Sequence, residues 1–149
     1  MRKLGRWWLF ALGLLTVAPL GAEEFNAQRA RFNYQMSCQG CHAPDGVGAS
    51  TVPRMKDFVG TFLRSRAGRE FLVRVPGAAT SALGDAELAE VLNWILLDFG
   101  GDSVKSDFRR YTGTEVGALR KSPLFEVDRY RVQLLAEIAS NTMENQSHD

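Results

Sequence analysis

Apolar side chains recur every three or four positions along much of this chain, which is the spacing of helices that pack one face against a core. The clearest run extends over residues 85–99, where Asp85 and Glu87 place acidic groups in the first turn. The strict alternation of apolar and polar residues that is typical of strands is nearly absent. The sequence therefore predicts an all-α fold. The apolar positions of the clearest helix are Leu88, Val91, Leu92, Ile95, Leu96 and Phe99, joined by Trp94.

Two further helical segments are predicted before that run. The first covers residues 26–37, where Ala30 and Tyr34 share a face because they are four positions apart. The second begins near Lys56 and has a short continuation over residues 69–75. Its apolar stripe consists of Phe58, Phe62, Leu63, Phe71 and Leu72.

A polar, glycine-containing junction at residues 100–103 divides these helices from the C-terminal part of the chain. Thr112-Gly113-Thr114-Glu115 has the spacing of a capping box, which predicts a short helix that ends near Lys121, before Pro123.

An amphipathic helix of roughly 14 residues is predicted from Val127 onward. A helix of this length is marginal in water by itself, so it must pack either on the preceding helices or on a partner protein. Residues 143–149 are expected to be frayed. The apolar face consists of Val127, Tyr130, Leu134, Leu135 and Ile138.

The first 22 residues have the pattern of a secretory signal peptide. Arg2, Lys3 and Arg6 precede an apolar run over residues 7–17, and small residues lead to Ala22. An uncleaved anchor is the alternative. The prediction divides the chain into a signal peptide (1–22), a helical domain (23–100) and a C-terminal helical extension (101–149), and it indicates export to the periplasm.

Charge narrows the choice of partners. Removal of residues 1–22 takes the formal charge from +1 to −2, because that segment carries three basic residues and no acidic one. This balance offers no basic surface for nucleic acid or for an anionic membrane. We expect no stable membrane insertion after cleavage of the signal peptide.

The reactive side chains of this chain are concentrated in one segment, Cys38-Gln39-Gly40-Cys41-His42. Two cysteines separated by two residues and followed by histidine are the attachment signature of a c-type haem. Two thiols on one short turn can add to the two vinyl groups of one porphyrin, and the adjacent imidazole can then ligate its iron. The chain contains two cysteines in all. The sequence thus predicts one haem c bound covalently through Cys38 and Cys41, with His42 as the metal ligand.

Two other uses of paired cysteines fit less well. A structural zinc site needs about four ligands, and beyond the motif the chain adds only one histidine, His148, near its end. A thioredoxin-like redox pair requires a strand before the motif, whereas a helix is predicted there.

Residues 26–99 resemble a class I cytochrome c domain of the bacterial, monohaem type. Besides the haem motif, Asp45-Gly46-Val47-Gly48 is similar to the turn that follows the proximal histidine in that family. Thr51-Val52-Pro53-Arg54-Met55 lies where the family carries Gly-Pro-x-Leu. The resemblance implies that the Pro53 carbonyl accepts a hydrogen bond from Nδ1 of His42, which would fix the orientation of an iron-bound imidazole.

The same resemblance implies a specific helix crossing. Ala30 and Tyr34 match the small and aromatic positions of the family's N-terminal helix. We therefore expect both side chains to pack against the helix over residues 85–99, near Trp94.

The loop before that helix departs from the family pattern. Typical members supply a distal methionine from this loop, but residues 73–84 contain no Met, His, Lys, Cys or Tyr, and Val75-Pro76 lies where Met-Pro is expected. Arg74 could donate to a distal ligand, although an exposed position or a pairing with a haem propionate is the more common role of such an arginine. The sequence therefore does not identify the distal iron ligand. Either no protein side chain binds the iron there, or the ligand is one of Met55, Met143, His148 and Lys56. Met36 is too close to the haem motif to reach the distal face.

Two functional classes remain. The first is a periplasmic electron carrier, not itself an enzyme, that serves a partner redox protein such as a dehydrogenase or an oxidase, or is a cytochrome subunit of one. The second is a haem-based sensor or small-ligand-binding protein, because an iron without a distal side chain admits small molecules.

Overall fold

Helices provide the regular structure of residues 24–147, the part of the chain that the computed structural model describes. Within these residues there is no β-strand, and a single isolated bridge joins Ala49 and Val52. The predicted all-α fold is confirmed, while the predicted signal peptide and His148 lie outside the described residues. The α-helices are α1 (Ala27–Ser37), α2 (Gln39–His42), α3 (Arg66–Arg74), α4 (Pro76–Ala79), α5 (Asp85–Phe99), α6 (Gly113–Leu119) and α7 (Val127–Gln146), with 3₁₀ helices at Val59–Arg64 and Gly101–Ser103.

The crossing of α1 and α5 forms the centre of the main core. Ala30 and Tyr34 are 0% and 1% exposed. The Tyr34 ring centroid lies 5.1 Å from that of Trp94 and 5.3 Å from that of Phe99. The predicted packing of Ala30 and Tyr34 near Trp94 is confirmed.

An ion pair with a buried carboxylate joins the same two helices. Glu90 of α5 is 7% exposed, and its carboxylate accepts two hydrogen bonds of 2.8 Å from the Arg29 guanidinium and one of 2.6 Å from the Asn26 amide. Burial alone would raise the pKa of Glu90, but these donors hold the pKa below its ordinary value. The pair joins the first turn of α1 to the middle of α5.

The segment after Met55 differs from the prediction of a helix that begins near Lys56. A 3₁₀ helix forms only from Val59, and α3 begins after Ser65, whose hydroxyl accepts a hydrogen bond from the Gly68 amide. Asp57 accounts for the later start, because its φ of +56° is a left-handed conformation that a right-handed helix does not contain. Gly60 lies inside the 3₁₀ helix, where a Cβ atom would lie 2.4 Å from the Ser103 backbone. This close approach involves residues 43 positions apart, which periodicity cannot reveal.

The C-terminal extension packs on the main core. Tyr111 and Val116 are 4% and 0% exposed and belong to the same apolar cluster as α1 and α5. The buried Asn93 side chain donates to the Tyr111 carbonyl at 3.0 Å and accepts from the Tyr111 amide at 2.7 Å. This part of the extension therefore belongs to the main core.

The last helix, α7, covers a second apolar cluster. Leu134 and Ile138 pack with Phe62 and Phe71, and the Tyr130 ring stacks on Phe71 with centroids 6.0 Å apart. Of the two packing partners that the sequence left open for this helix, the structure therefore shows the preceding helices. At 20 residues, α7 is longer than predicted and includes most of the segment that was expected to fray. In the described part of the chain, no helix has both the length and the hydropathy needed to cross a membrane.

Candidate cofactor site

The haem-attachment motif borders a mostly apolar cavity with a volume of about 300 Å³. Cys38, Cys41 and His42 all line it. The structure thus brings the three residues that the motif singles out to one space. Opposite elements contribute mostly aliphatic and aromatic side chains, among them Val59, Phe62, Phe71, Leu72, Val75, Leu88, Val91, Leu92, Ile95 and Leu96.

Backbone hydrogen bonds place the motif on a single turn. The Cys38 amide donates to the Tyr34 carbonyl at 2.8 Å and ends α1. The amides of Cys41 and His42 then both donate to the Cys38 carbonyl, at 3.2 and 3.1 Å. Cys38 is half-buried and Cys41 is exposed, and both are free thiols. Both cysteines therefore border the cavity, and Cys41 is the more open to solvent.

The environment of the motif favours the neutral forms of Cys38 and His42. Burial, with a smaller contribution from Cys41, raises the pKa of the Cys38 thiol. Burial lowers the pKa of His42, while the Pro53 carbonyl opposes this effect. A neutral imidazole is the form that binds a metal. The lowered pKa therefore favours the form of His42 that can bind a metal near neutral pH.

The Pro53 carbonyl lies beside the His42 imidazole, as the resemblance implies, and its hydrogen-bonding effect raises the pKa of the ring against the effect of burial. The contact falls short of the full geometry of a hydrogen bond, so Nδ1 of His42 is a buried polar atom without a complete partner among the described residues. The ring of this residue lines the cavity.

Two contacts hold the loop after His42. The Tyr34 hydroxyl donates to the Ala43 carbonyl at 2.5 Å. The Gly48 amide donates to the His42 carbonyl at 3.1 Å. Gly48 has a φ of +79°, and a Cβ atom there would lie 2.3 Å from the Val52 carbonyl oxygen, so glycine is required for the loop to fold back on itself.

The residues that line the cavity fit a covalently bound haem. Two thiols and one imidazole border an apolar space, and no carboxylate is among the lining residues that the structure describes. Within residues 24–147, no three His, Cys, Asp or Glu side chains converge as they would around a bare metal ion. Attachment to a porphyrin does not need such convergence, because the sulfurs bond to the ring periphery and only the imidazole reaches the iron.

The loop over residues 73–84 supplies no iron ligand to the cavity. Its lining residues are Val75, Gly77 and Ala78, whose side chains have no donor atom. Among the substitutes, Met55 is half-buried and lines the cavity. The other described candidates, Met36, Met143 and Lys56, are exposed and do not line it, and His148 lies outside the described residues.

Two arginines outside the cavity donate hydrogen bonds to backbone carbonyls, a role that the sequence did not indicate. Arg74 donates to the Ser122 carbonyl at 2.7 Å and does not line the cavity. Arg120, which sequence reasoning missed, donates to three carbonyls of the loop before α5, namely those of Ala79, Ser81 and Leu83, at 3.0, 2.6 and 2.7 Å. No local pattern could have revealed this role, because the loop lies about 40 positions away along the chain.

Arg131 of α7 also lines the cavity, together with Val127. Sequence reasoning counted Arg131 among the polar positions of an amphipathic helix. The C-terminal extension therefore forms part of the cavity wall. No family model, curated protein or solved structure matches this chain.

Proposed function

We propose that this protein is a periplasmic monohaem c-type cytochrome that carries single electrons to or from a partner redox enzyme. The observation that carries the proposal is the position of Cys38, Cys41 and His42 at the wall of one apolar cavity. Two thiols on one turn, next to an imidazole that favours its neutral form, are the groups that covalent haem attachment requires.

The chain's own residues have separate tasks in this function. Cys38 and Cys41 would hold the macrocycle through thioether bonds, and His42 would hold the iron. When bound, the haem supplies a one-electron Fe(III)/Fe(II) couple. The aliphatic wall from α5 keeps water away from the cofactor, and such burial is one of the levers that set a reduction potential.

The exposure of Cys41 indicates where a partner would approach. Cys41 is at the surface whereas Cys38 is half-buried, so the cofactor edge at Cys41 would lie nearest to solvent. Electron-transfer partners meet through small, weak interfaces. A dehydrogenase or an oxidase that docks over the Cys41 side would therefore reach the cofactor without a rearrangement of α5.

One observation favours a second function, that of a haem-based sensor or small-ligand-binding protein. The loop that faces the cavity before α5 contributes Val75, Gly77 and Ala78, and none of these can bind iron. An iron without a distal side chain would bind molecules such as CO or NO.

Mass spectrometry of the exported protein tests the attachment. We expect one haem adduct in the wild type, and at most one thioether in Cys38→Ala or Cys41→Ala. His42→Ala should keep the adduct but lose the native iron spectrum. His148→Ala, at the other histidine of the chain, should also keep the adduct, and a changed spectrum there would identify His148 as the distal ligand. Exported wild-type protein without a porphyrin adduct would refute the proposal.

Absorption spectra of the oxidised and reduced protein, with and without CO, separate the two functions. A six-coordinate, low-spin iron that does not bind CO supports the electron carrier. A high-spin iron that binds CO rapidly supports the sensor.

A further inference from the structure

The cavity wall carries two cations and, among the described residues, no carboxylate. The cations are Arg54 and Arg131. Arg54 is already neutralised, because it donates to the Asp57 carboxylate at 2.9 Å and to the Lys56 carbonyl at 2.6 Å. No ion pair involves Arg131 within residues 24–147. One positive charge at the cavity is therefore left without a counter-ion.

Aromatic rings and the packing of α7 hold Arg131 in place. Its Cζ atom lies 5.5 Å from the centroid of Phe58 and 5.9 Å from that of Phe62, within the range of a cation–π contact. Leu134, one turn further along α7, is 3% exposed and packs against the same cluster. The Arg131 side chain is itself half-buried. A partly desolvated guanidinium of this kind gains from an anionic partner.

We propose that Arg131 binds a haem propionate and so makes α7 part of the cofactor site. This inference rests on the proposed function, since it requires the haem that Cys38 and Cys41 would attach. A haem brings two carboxylates to a cavity that supplies none, and a guanidinium is the side chain best suited to bind a carboxylate through two parallel hydrogen bonds. The C-terminal extension then serves the cofactor directly as well as covering the core.

The charge of Arg131 has a predictable effect on the iron. A fixed positive charge near the haem disfavours the more positive Fe(III) state relative to Fe(II). Loss of that charge should stabilise the ferric form and lower the reduction potential. A guanidinium that faced solvent instead of a propionate would be screened by water and salt and would change the potential little, so the size of the shift separates the two positions of the side chain.

Potentiometric titration of the full-length holoprotein at low ionic strength tests the inference. Arg131→Gln should shift the ferrous-to-ferric ratio at a fixed potential about tenfold toward ferric, which corresponds to ~59 mV for one electron. Arg131→Lys should restore most of the shift, since it keeps the charge. Arg129→Gln is the matched control on the same helix, because Arg129 is exposed and pairs with Glu126; its ratio should change less than twofold.

Several results would overturn the role of Arg131. One is an Arg131→Gln protein with the potential of Arg129→Gln, and another is an Arg131→Lys protein that shifts as far as Arg131→Gln. An unchanged potential with a weaker affinity of the ferric iron for azide would instead place Arg131 beside an exogenous ligand. The mass of the wild-type holoprotein is measured first: absence of a haem adduct refutes the proposed function itself, whereas a normal adduct with an unshifted Arg131→Gln potential refutes only the propionate contact.

Discussion

The Tyr34 hydroxyl donates a hydrogen bond of 2.5 Å to the carbonyl of Ala43, the residue that directly follows His42. The ring of the same tyrosine packs against Trp94 and Phe99 of α5. One side chain therefore belongs both to the helix crossing at the centre of the core and to the support of the imidazole. The position of His42 is thus tied to the packing of α1 on α5.

Removal of that hydroxyl should weaken the fold. We expect Tyr34→Phe to lower the free energy of unfolding by about 1 kcal/mol, since it leaves the Ala43 carbonyl without this donor while the ring stays in place. Denaturant titration at pH 7 measures the change. Tyr130→Phe is the control, because it retains the ring that stacks on Phe71. Equal stabilities of Tyr34→Phe and the wild type would contradict the assigned role.

The same hydroxyl should make stability depend on alkaline pH. Burial raises the pKa of Tyr34 from 10.0 to about 12. The folded state therefore keeps a proton that the unfolded state loses, and this part of the stability, complete below pH 10, is lost as the pH rises toward 12. Tyr111 also has a raised pKa because of burial, so the wild type and Tyr34→Phe must be compared with Tyr111 intact in both. The wild type should lose more stability than the variant between pH 10 and 12, and parallel curves would show that the Tyr34 hydroxyl does not contribute.

The sequence predicted those features that depend on neighbouring residues. The helix over residues 85–99 and the shared face of Ala30 and Tyr34 follow from periodicity, and both are present. The predicted start of the first helix near Asn26 also agrees with the structure, where the Asn26 side chain accepts hydrogen bonds from two amides of the first turn.

Features that depend on distant segments could not be predicted. The close approach of Gly60 to the Ser103 backbone joins segments 43 positions apart. The roles of Arg120 and Arg131 depend on where the C-terminal extension crosses the earlier helices. A charged position on an amphipathic helix looks the same in sequence whether it faces solvent or a cavity.

Met55 is expected to be a packing residue and not an iron ligand. It is half-buried at the cavity wall, and its amide donates to the Gly46 carbonyl at 2.8 Å. Met55→Leu conserves side-chain volume and should cost less than about 1.5 kcal/mol. The ferric absorption spectrum should stay that of the wild type, as it should in the control Met36→Leu, since Met36 is exposed. A change of spin state in Met55→Leu alone would identify Met55 as the distal ligand.

Two parts of the C-terminal extension are expected to contribute separately to folding. A chain that ends at Gly100 lacks Tyr111 and Val116, and it leaves the buried Asn93 amide unpaired. We expect it to remain unfolded. A chain that ends at Phe125 keeps those contacts and loses only α7, so it should fold with reduced stability, by about 2 kcal/mol for each buried apolar side chain that is removed.

Far-UV circular dichroism and thermal unfolding distinguish the two truncated chains. The chain that ends at Phe125 is the control for the shorter one, because it separates the loss of α7 from the loss of the main core. A cooperative unfolding transition in the chain that ends at Gly100 would show that the first 100 residues fold independently, and that the extension serves another purpose.

The Arg69–Glu115 pair should contribute stability that disappears in acid. Arg69 donates to both carboxylate oxygens of Glu115, at 2.6 and 2.8 Å, and the two side chains are 13% and 17% exposed. The hydrogen bond from Arg69, together with the charges of Arg69 and Arg109, holds the pKa of Glu115 below its ordinary value of 4.5 in spite of burial. Because the folded pKa is lowered, the contribution is complete above pH 4.5 and is lost as the pH falls through the folded pKa.

Glu115→Gln therefore should lower the free energy of unfolding by about 2 kcal/mol at pH 7, the size of a hydrogen bond to a charged group. The difference from the wild type should shrink as the pH falls below 4.5, since the wild-type carboxylate then takes up a proton. Glu90, whose pKa is also lowered, is present in both proteins, so the difference isolates Glu115. Glu126→Gln is the matched control: its pair with Arg129 is mostly exposed, and pairs of that kind contribute little. A Glu115→Gln protein whose deficit stays constant from pH 7 to pH 3 would show that packing, and not the ion pair, accounts for the loss.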